Sequence, residues 1–133
     1  MIDIESEVFS KVATELREQV NGIFVSGEYI DAPNKFPAVT IVESSNTVVS
    51  RMRTTNIENA ARVMYEVNIY TNLVGYKKSQ AKTILNIVDV VFSQMGFTRV
   101  FMNPIANLSD ATIYRIVARY EAIVDNDLIV YQN

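Results

Sequence analysis

Acid–base chemistry in this chain would fall to carboxylates, because its 133 residues include neither histidine nor cysteine. Glu66 and Glu121 are the pair to weigh. Each falls on the more polar side of an alternating segment, and a sheet could bring the two together. Solvated charges set among Arg115 and Arg119 account for the same pattern more simply. Missing histidine removes the commonest transition-metal ligand and every Ser/His/Asp or Cys/His nucleophile. Missing cysteine removes disulfides and thiolates, and zinc on carboxylates alone is improbable. The four glycines, Gly22, Gly27, Gly75 and Gly96, are scattered, and none precedes the Lys-Ser/Thr pair of a phosphate loop. Asp125-Asn126-Asp127 lacks the glycine and distal glutamate of a calcium loop and reads as a turn. Tyr65, Tyr70, Tyr114, Tyr120 and Tyr131 sit in strand-like segments as packing residues. The expectation is a protein that is not an enzyme and takes no cofactor or metal.

The elements are legible from periodicity. With 49% apolar and 20% charged residues, the composition is that of a globular protein, and the length fits a single domain over 1–133. Residues 4–20 read as an amphipathic helix with Val8, Phe9, Val12, Ala13, Leu16 and Val20 on one stripe, Asp3 as N-cap and Asn21-Gly22 ending it. Residues 23–30 read as a short strand or a hairpin around Gly27, and 36–43 as a strand opened by Pro37. The segment 44–60 is polar, partly β-prone and too long for a tight turn, and reads as an insertion. Strict alternation over 61–72 marks a half-buried strand. A second helix spans 77–95, with Gly96 at its C′ position and a stripe broadened by Ile87 and Val90. Residues 97–107 form a strand that Pro104 confines to an edge or a bulge. The long alternation over 111–124 suggests a strand that overruns the sheet or carries a bulge, and 128–132 a short last strand. The fold class is α+β: a single, mostly antiparallel sheet of about 4–6 strands, with two amphipathic helices packed on one face.

Net charge is −3, unevenly spread: −5 over residues 1–43, +4 over 44–82 and −2 over 83–133. A chain acidic at one end and basic in its middle could associate head-to-tail with its own copies, although solvated faces that simply differ give the same numbers. The basic stretch carries Arg51, Arg53, Arg62, Lys77, Lys78 and Lys82, but the overall balance is acidic, so sequence-specific nucleic-acid binding is not expected. The acidic start lacks the pattern of a signal peptide, and no stretch is apolar enough to span a membrane, which leads us to expect a cytosol-like compartment.

Three linked stretches carry a resemblance. The first helix runs on to Phe36-Pro37-Ala38-Val39-Thr40-Ile41-Val42-Glu43. Tyr65-Glu66-Val67-Asn68-Ile69-Tyr70-Thr71-Asn72 leads into Lys77-Lys78 and Ala81-Lys82-Thr83-Ile84. Gly96-Phe97-Thr98-Arg99 is followed by Pro104, Asn107, Asp110, and Thr112-Ile113-Tyr114-Arg115 through Arg119-Tyr120-Glu121-Ala122. Nearly full length, the chain resembles the tail terminator (tail completion) proteins of long-tailed bacteriophages. That resemblance implies a structural virion protein, assembled in the host cytoplasm. It would form a ring, typically of six copies, on the head-proximal end of the tail tube. The ring ends tube polymerisation and offers a surface to the head–tail connector or stopper protein. Its partners would be its own copies, the tail tube protein and that connector. The candidate contacts are Glu5 and Glu7 on one surface and Arg51, Met52, Arg53, Arg62, Lys77, Lys78 and Lys82 on another, with 44–60 meeting the tube. Another head–tail joining or stopper protein is the nearest alternative. A small-molecule-binding regulatory α+β module is the alternative of a different class, which would want a concave apolar pocket with a ligand loop.

Overall fold

The structure, a computed structural model, describes residues 1–49, 59–106 and 110–130. Its elements in chain order are α1 (Glu5–Gln19), β1 (Phe24–Ser26), β2 (Ala38–Val48), β3 (Ala60–Thr71), α2 (Lys77–Gln94), β4 (Thr98–Ile105) and β5 (Tyr114–Asp125). The fold is α+β. The five strands form a mixed sheet in the order β1-β2-β3-β5-β4, antiparallel except for the β1–β2 pair.

Alternation decides which side of the sheet is buried. Val39 and Ile41 of β2, Val63, Tyr65, Val67 and Ile69 of β3, and Ile116, Ala118, Tyr120 and Ala122 of β5 share one face. Onto it pack Val8, Val12, Ala13 and Leu16 of α1 and Ala81, Ile84, Leu85, Val88, Val91 and Phe92 of α2, giving one continuous core. Both helices therefore lie on the same face. At the centre of that core Phe92 stacks on Tyr120 with ring centroids 4.2 Å apart, while Phe97 meets Phe92 edge-on at 5.2 Å and Tyr65 at 5.6 Å.

The other face is polar and cross-linked. Arg62 pairs with Glu121 at 3.2 Å and Arg119 with Glu66 at 3.1 Å. Arg115 donates from Nε and Nη2 to the Asn68 carbonyl at 3.0 and 2.7 Å, and Asn68 donates on to Glu66 at 3.3 Å. The Tyr70 hydroxyl donates to the Ile30 carbonyl at 3.1 Å, which ties the crossover between β1 and β2 to this face.

Several sequence expectations need correction. Residues 23–30 form no hairpin: β1 pairs parallel to β2, Val25 opposite Val39, because the 27–37 segment crosses over rather than turning back. The insertion expected over 44–60 begins later. A bulge between Glu43 and Ser45 lets β2 continue to Val48 opposite Ala61. The polarity there reflects a hairpin end that extends beyond the helices, with Ser44, Ser45, Thr47 and Val48 exposed. Residues 50–58 lie outside the described residues. β5 does not overrun the sheet, since β3 is equally long and pairs with it without a register shift from Ala60 opposite Asp125 to Thr71 opposite Tyr114. Pro104 lies in edge strand β4, and the bulge there falls between Arg99 and Phe101. Of the last strand expected over 128–132, the described part makes a single bridge, Val130 opposite Val124. The turn before it is closed by Asp125 Oδ1, which accepts the N–H groups of Asp127 and Ile129, both at 2.9 Å.

Candidate functional site

The two helices run antiparallel. Ile4, Glu7, Val8 and Lys11 at the start of α1 line a common depression with Gln94 and Met95 at the end of α2. The opposite charges that the sequence carries on the two helix starts therefore lie at opposite ends of the helix layer. An α2 of 18 residues is roughly 27 Å long.

At one end, Lys77, Lys78 and Lys82 surround the first turns of α2, which holds no acid in its first turn and no side-chain cap at Tyr76. The unsatisfied N–H groups there add their own positive potential. Lys77 Nζ donates to the Ala111 carbonyl at 3.2 Å, fixing the helix start to the segment that leads into β5. Among the described residues no ion pair neutralises Lys78 or Lys82. Gly75, at φ 80°, turns the chain into the helix and leaves Leu73, Val74 and Tyr76 exposed, Val74 at 90%. Gly75 and Tyr76 join the three lysines and Ser79 in lining a shallow depression. The result is a basic surface with an apolar rim. The lysines are plain in the sequence, and the run Leu73-Val74-Gly75-Tyr76 between two regular elements is the signal of the rim.

At the other end, the N-cap of α1 is Ile4 rather than the expected Asp3, because the first helical bond runs from the Val8 N–H to the Ile4 carbonyl, and Asp3, one residue before it, accepts the Glu5 N–H on Oδ1 at 3.0 Å. Glu5 Oε2 accepts the Glu43 N–H at 3.2 Å, and Glu43 Oε1 accepts from the Asn46 amide at 3.2 Å, which also donates to the Ile2 carbonyl at 2.8 Å. Carboxylate oxygens of Asp3, Glu5 and Glu43 fall within 4.8 Å of one another. Glu7 forms an exposed pair with Lys11 at 3.4 Å. Glu43 was not singled out from the sequence. It is the inward position after Val39 and Ile41, and an acid where the alternation demands an apolar residue is the signal that could have found it.

Burial raises the Glu43 pKa above its ordinary 4.5; the Asn46 hydrogen bond partly offsets this, and the charges of Glu5 and Asp3 add to the rise. The folded state therefore disfavours ionised Glu43. Stability gained from its proton accrues as pH falls through the raised folded value and is complete below the unfolded one. Glu43→Gln keeps an acceptor for Asn46 and removes the charge. In metal-free buffer it should unfold at a higher temperature than the parent at pH 7, with the difference closing below about pH 4. Thermal melts of both proteins across that range check it, and a variant less stable at pH 7 and equal in acid would contradict it.

Arg62 is not brought to the lysines. It lies at the far end of β3, on the opposite face of the sheet, in its ion pair with Glu121. Arg51, Met52 and Arg53 lie outside the described residues. Glu66 and Glu121 are held by different arginines, Arg119 and Arg62, as structural charges of the polar face rather than as an acid–base pair. Edge strand β4 is exposed along its whole length and shows Val100, Phe101, Met102 and Ile105 to solvent, with the Arg119 guanidinium over the Phe101 ring at 4.8 Å. The described helices include none long and apolar enough to cross a membrane.

No protein-family model matches the chain, and no curated protein matches it in sequence. Its architecture is similar to that of a solved chain described as "Virion of native gene transfer agent (GTA) particle", with a TM-score of 0.58 at 14% identity. The alignment covers 88% of this chain and 93% of that one, so the likeness extends over the whole architecture of both.

Proposed function

We propose that this chain is a structural component of a phage-type virion and, more specifically, a tail terminator. Its copies close into a ring, a hexamer by resemblance, on the head-proximal end of the tail tube. There they end tube polymerisation and meet the head–tail connector. The observation that carries the virion reading is the end-to-end likeness to a chain of a gene transfer agent virion. The ring is supported by the separation of charge. A ring needs two different, complementary surfaces on each copy. The lysine end of α2 and the acidic end of α1 have opposite sign and lie at opposite ends of the helix layer. In this reading Lys77, Lys78 and Lys82 of one copy face Glu5 and Glu7 of the next. Arg51, Met52 and Arg53 take part in the same contact between copies, and the segment 44–60 meets the tube.

The function is tested by electron microscopy of lysates from the parent phage with this gene disrupted. Overlong or irregular tails beside detached heads are the expected result. Tails of normal length beside unattached, DNA-filled heads would make it a joining or stopper protein instead, and intact virions would overturn both readings. A second expectation concerns two basic residues of the sequence: Arg51→Glu with Arg53→Glu should weaken assembly, more at low salt than at high. Sedimentation velocity at two salt concentrations reads it, and unchanged assembly at low salt removes these arginines from the contact.

A further inference from the structure

We infer that the exposed turn Leu73-Val74-Gly75-Tyr76 of one copy seats in an apolar groove at the opposite end of the next copy. Knob and groove form the centre of the contact, and the charged helix starts form its rim. The inference rests on the reading of neighbouring copies in a ring and names the apolar anchor that charge alone does not supply.

The knob is built in advance. The Tyr76 N–H donates to the Leu73 carbonyl at 3.0 Å, closing a turn in which Gly75 takes φ 80°. The Tyr76 carbonyl accepts the Gln80 N–H at 2.8 Å and the Ser79 hydroxyl at 3.1 Å, which anchors the turn to α2. Val74 stands at the tip, 90% exposed, with Tyr76 beside it at 66%. An apolar tip already held in one shape loses little freedom on binding.

The groove lies where α1 begins and α2 ends, with a volume of about 250 Å3. Buried Ile4, Val8 and Phe97 line it, together with Leu128 and Ile129, which are 48% and 60% exposed. Leu128 is held at φ 63°, a backbone conformation unfavourable to leucine. Its N–H donates to the Asp125 carbonyl at 3.0 Å, and Asp125 Oδ1 accepts from Asp127 and Ile129 on either side. A strained turn that shows two large apolar side chains to water does nothing for an isolated chain; a neighbour that covers them gives it a role.

Sign completes the fit. Lys77, Lys78 and Lys82 follow directly on the knob. Glu7 lines the groove, with Asp3 and Glu5 flanking Ile4 in the chain, and these acids outnumber Lys11 at the rim. The Glu7–Lys11 pair is exposed and weak enough to exchange for a neighbour's lysine. Knob and groove sit at opposite ends of an α2 roughly 27 Å long, so no copy fills its own groove. Each takes its neighbour's knob, a heterologous contact that can repeat around a ring.

The chain has no cysteine, so introduced cysteines report on this contact alone. Val74→Cys with Ile129→Cys in one full-length chain, treated with a short bismaleimide, should give a covalent ladder ending in one closed species. An equimolar mixture of the two single variants should stop at dimers holding one of each. Val74→Cys combined instead with Val100→Cys, exposed on β4, should stay monomeric, and equal cross-linking there would overturn the inference as collision. Val74→Ser should weaken assembly about tenfold in sedimentation velocity, at high salt as at low, because salt does not screen an apolar contact. Assembly without a ladder would overturn knob and groove while leaving the ring, the groove then belonging to another partner. A ladder that never closes would keep the contact and overturn the ring. Neither assembly nor ladder at about 1 mM chain would overturn the contact, and the tails of the disrupted phage would then decide the ring on their own.

Discussion

Reversing Lys77, Lys78 and Lys82 together to glutamate should abolish the proposed head-to-tail assembly at low salt while leaving the monomer folded. The lysines surround the solvent-exposed start of α2, and the core positions of that helix, Ala81, Ile84, Leu85 and Val88, are untouched. An exposed ion pair contributes roughly 0.2–1 kcal/mol. Turning three attractions into three repulsions costs each interface on the order of 2–4 kcal/mol, or roughly 30- to 1000-fold in subunit affinity. A closed ring feels that cost at every interface. The isolated subunit moves in the opposite direction, because acids suit the positive end of a helix and lysines do not. Its unfolding midpoint should hold or rise slightly. Sedimentation velocity and thermal melts on the same samples separate the two effects. Adding Glu5→Lys and Glu7→Lys to the same chain restores complementarity between neighbouring copies and should recover assembly. Rings that form equally well in the triple variant at low salt would show that the helix starts are not the contacting surfaces.

Phe92→Ala produces the largest loss of stability. The ring is fully buried and forms the hub of the aromatic cluster, stacked on Tyr120 and edge-on to Phe97, with Tyr65 6.2 Å away. Truncation removes the apolar transfer term and leaves a cavity between α2, β3 and β5 that three rigid rings cannot collapse to fill, about 3–5 kcal/mol in all. A domain of this size is stable by about 5–15 kcal/mol, so the variant should be marginal at 37 °C. Urea unfolding should show a midpoint lowered without a change in slope. A loss below about 1 kcal/mol would mean that the aromatic cluster repacks freely. Tyr120→Phe isolates a smaller contribution: its hydroxyl donates to Asp89, which also holds Arg99 at 2.7 Å and so links α2 to β4.

What the sequence revealed and what it concealed follow from the range of the forces involved. Amphipathic periodicity is local, so Val8 to Leu16 and Ala81 to Phe92 disclose both helices and their buried stripes before any tertiary contact is considered. Gly96, at φ 89°, marks the end of α2 for the same reason. Strand partners are not local. Residues 44–48 look like loop because their own composition is polar, and they are strand because Met64 to Ala61 lie beside them. The alternation over 111–124 looks too long for a strand until β3 supplies β5 with an equally long partner. The lysines and first-helix acids of the candidate surfaces are plain in the sequence, but their placement at opposite ends depends on how the two helices pack, which no local pattern encodes. Glu43 was the hardest to read: its meaning comes from residues 38 and 40 positions earlier in the chain.

The strand order has a consequence for how the protein comes into being. β5 is the last of the five strands to be made, yet it sits inside the sheet between β3 and β4. While the chain is still on the ribosome, β2 and β3 can form their hairpin and the two helices can settle on it. β4, though already synthesised, has nothing to pair with. The sheet closes only once residue 125 has cleared the exit tunnel, and with it come all the pairings of β3 with β5 and of β5 with β4. A nascent chain is therefore half-built until β5 has emerged. A message truncated before β5 would yield a hairpin under two helices with one long edge open, material for chaperones and proteases rather than for assembly.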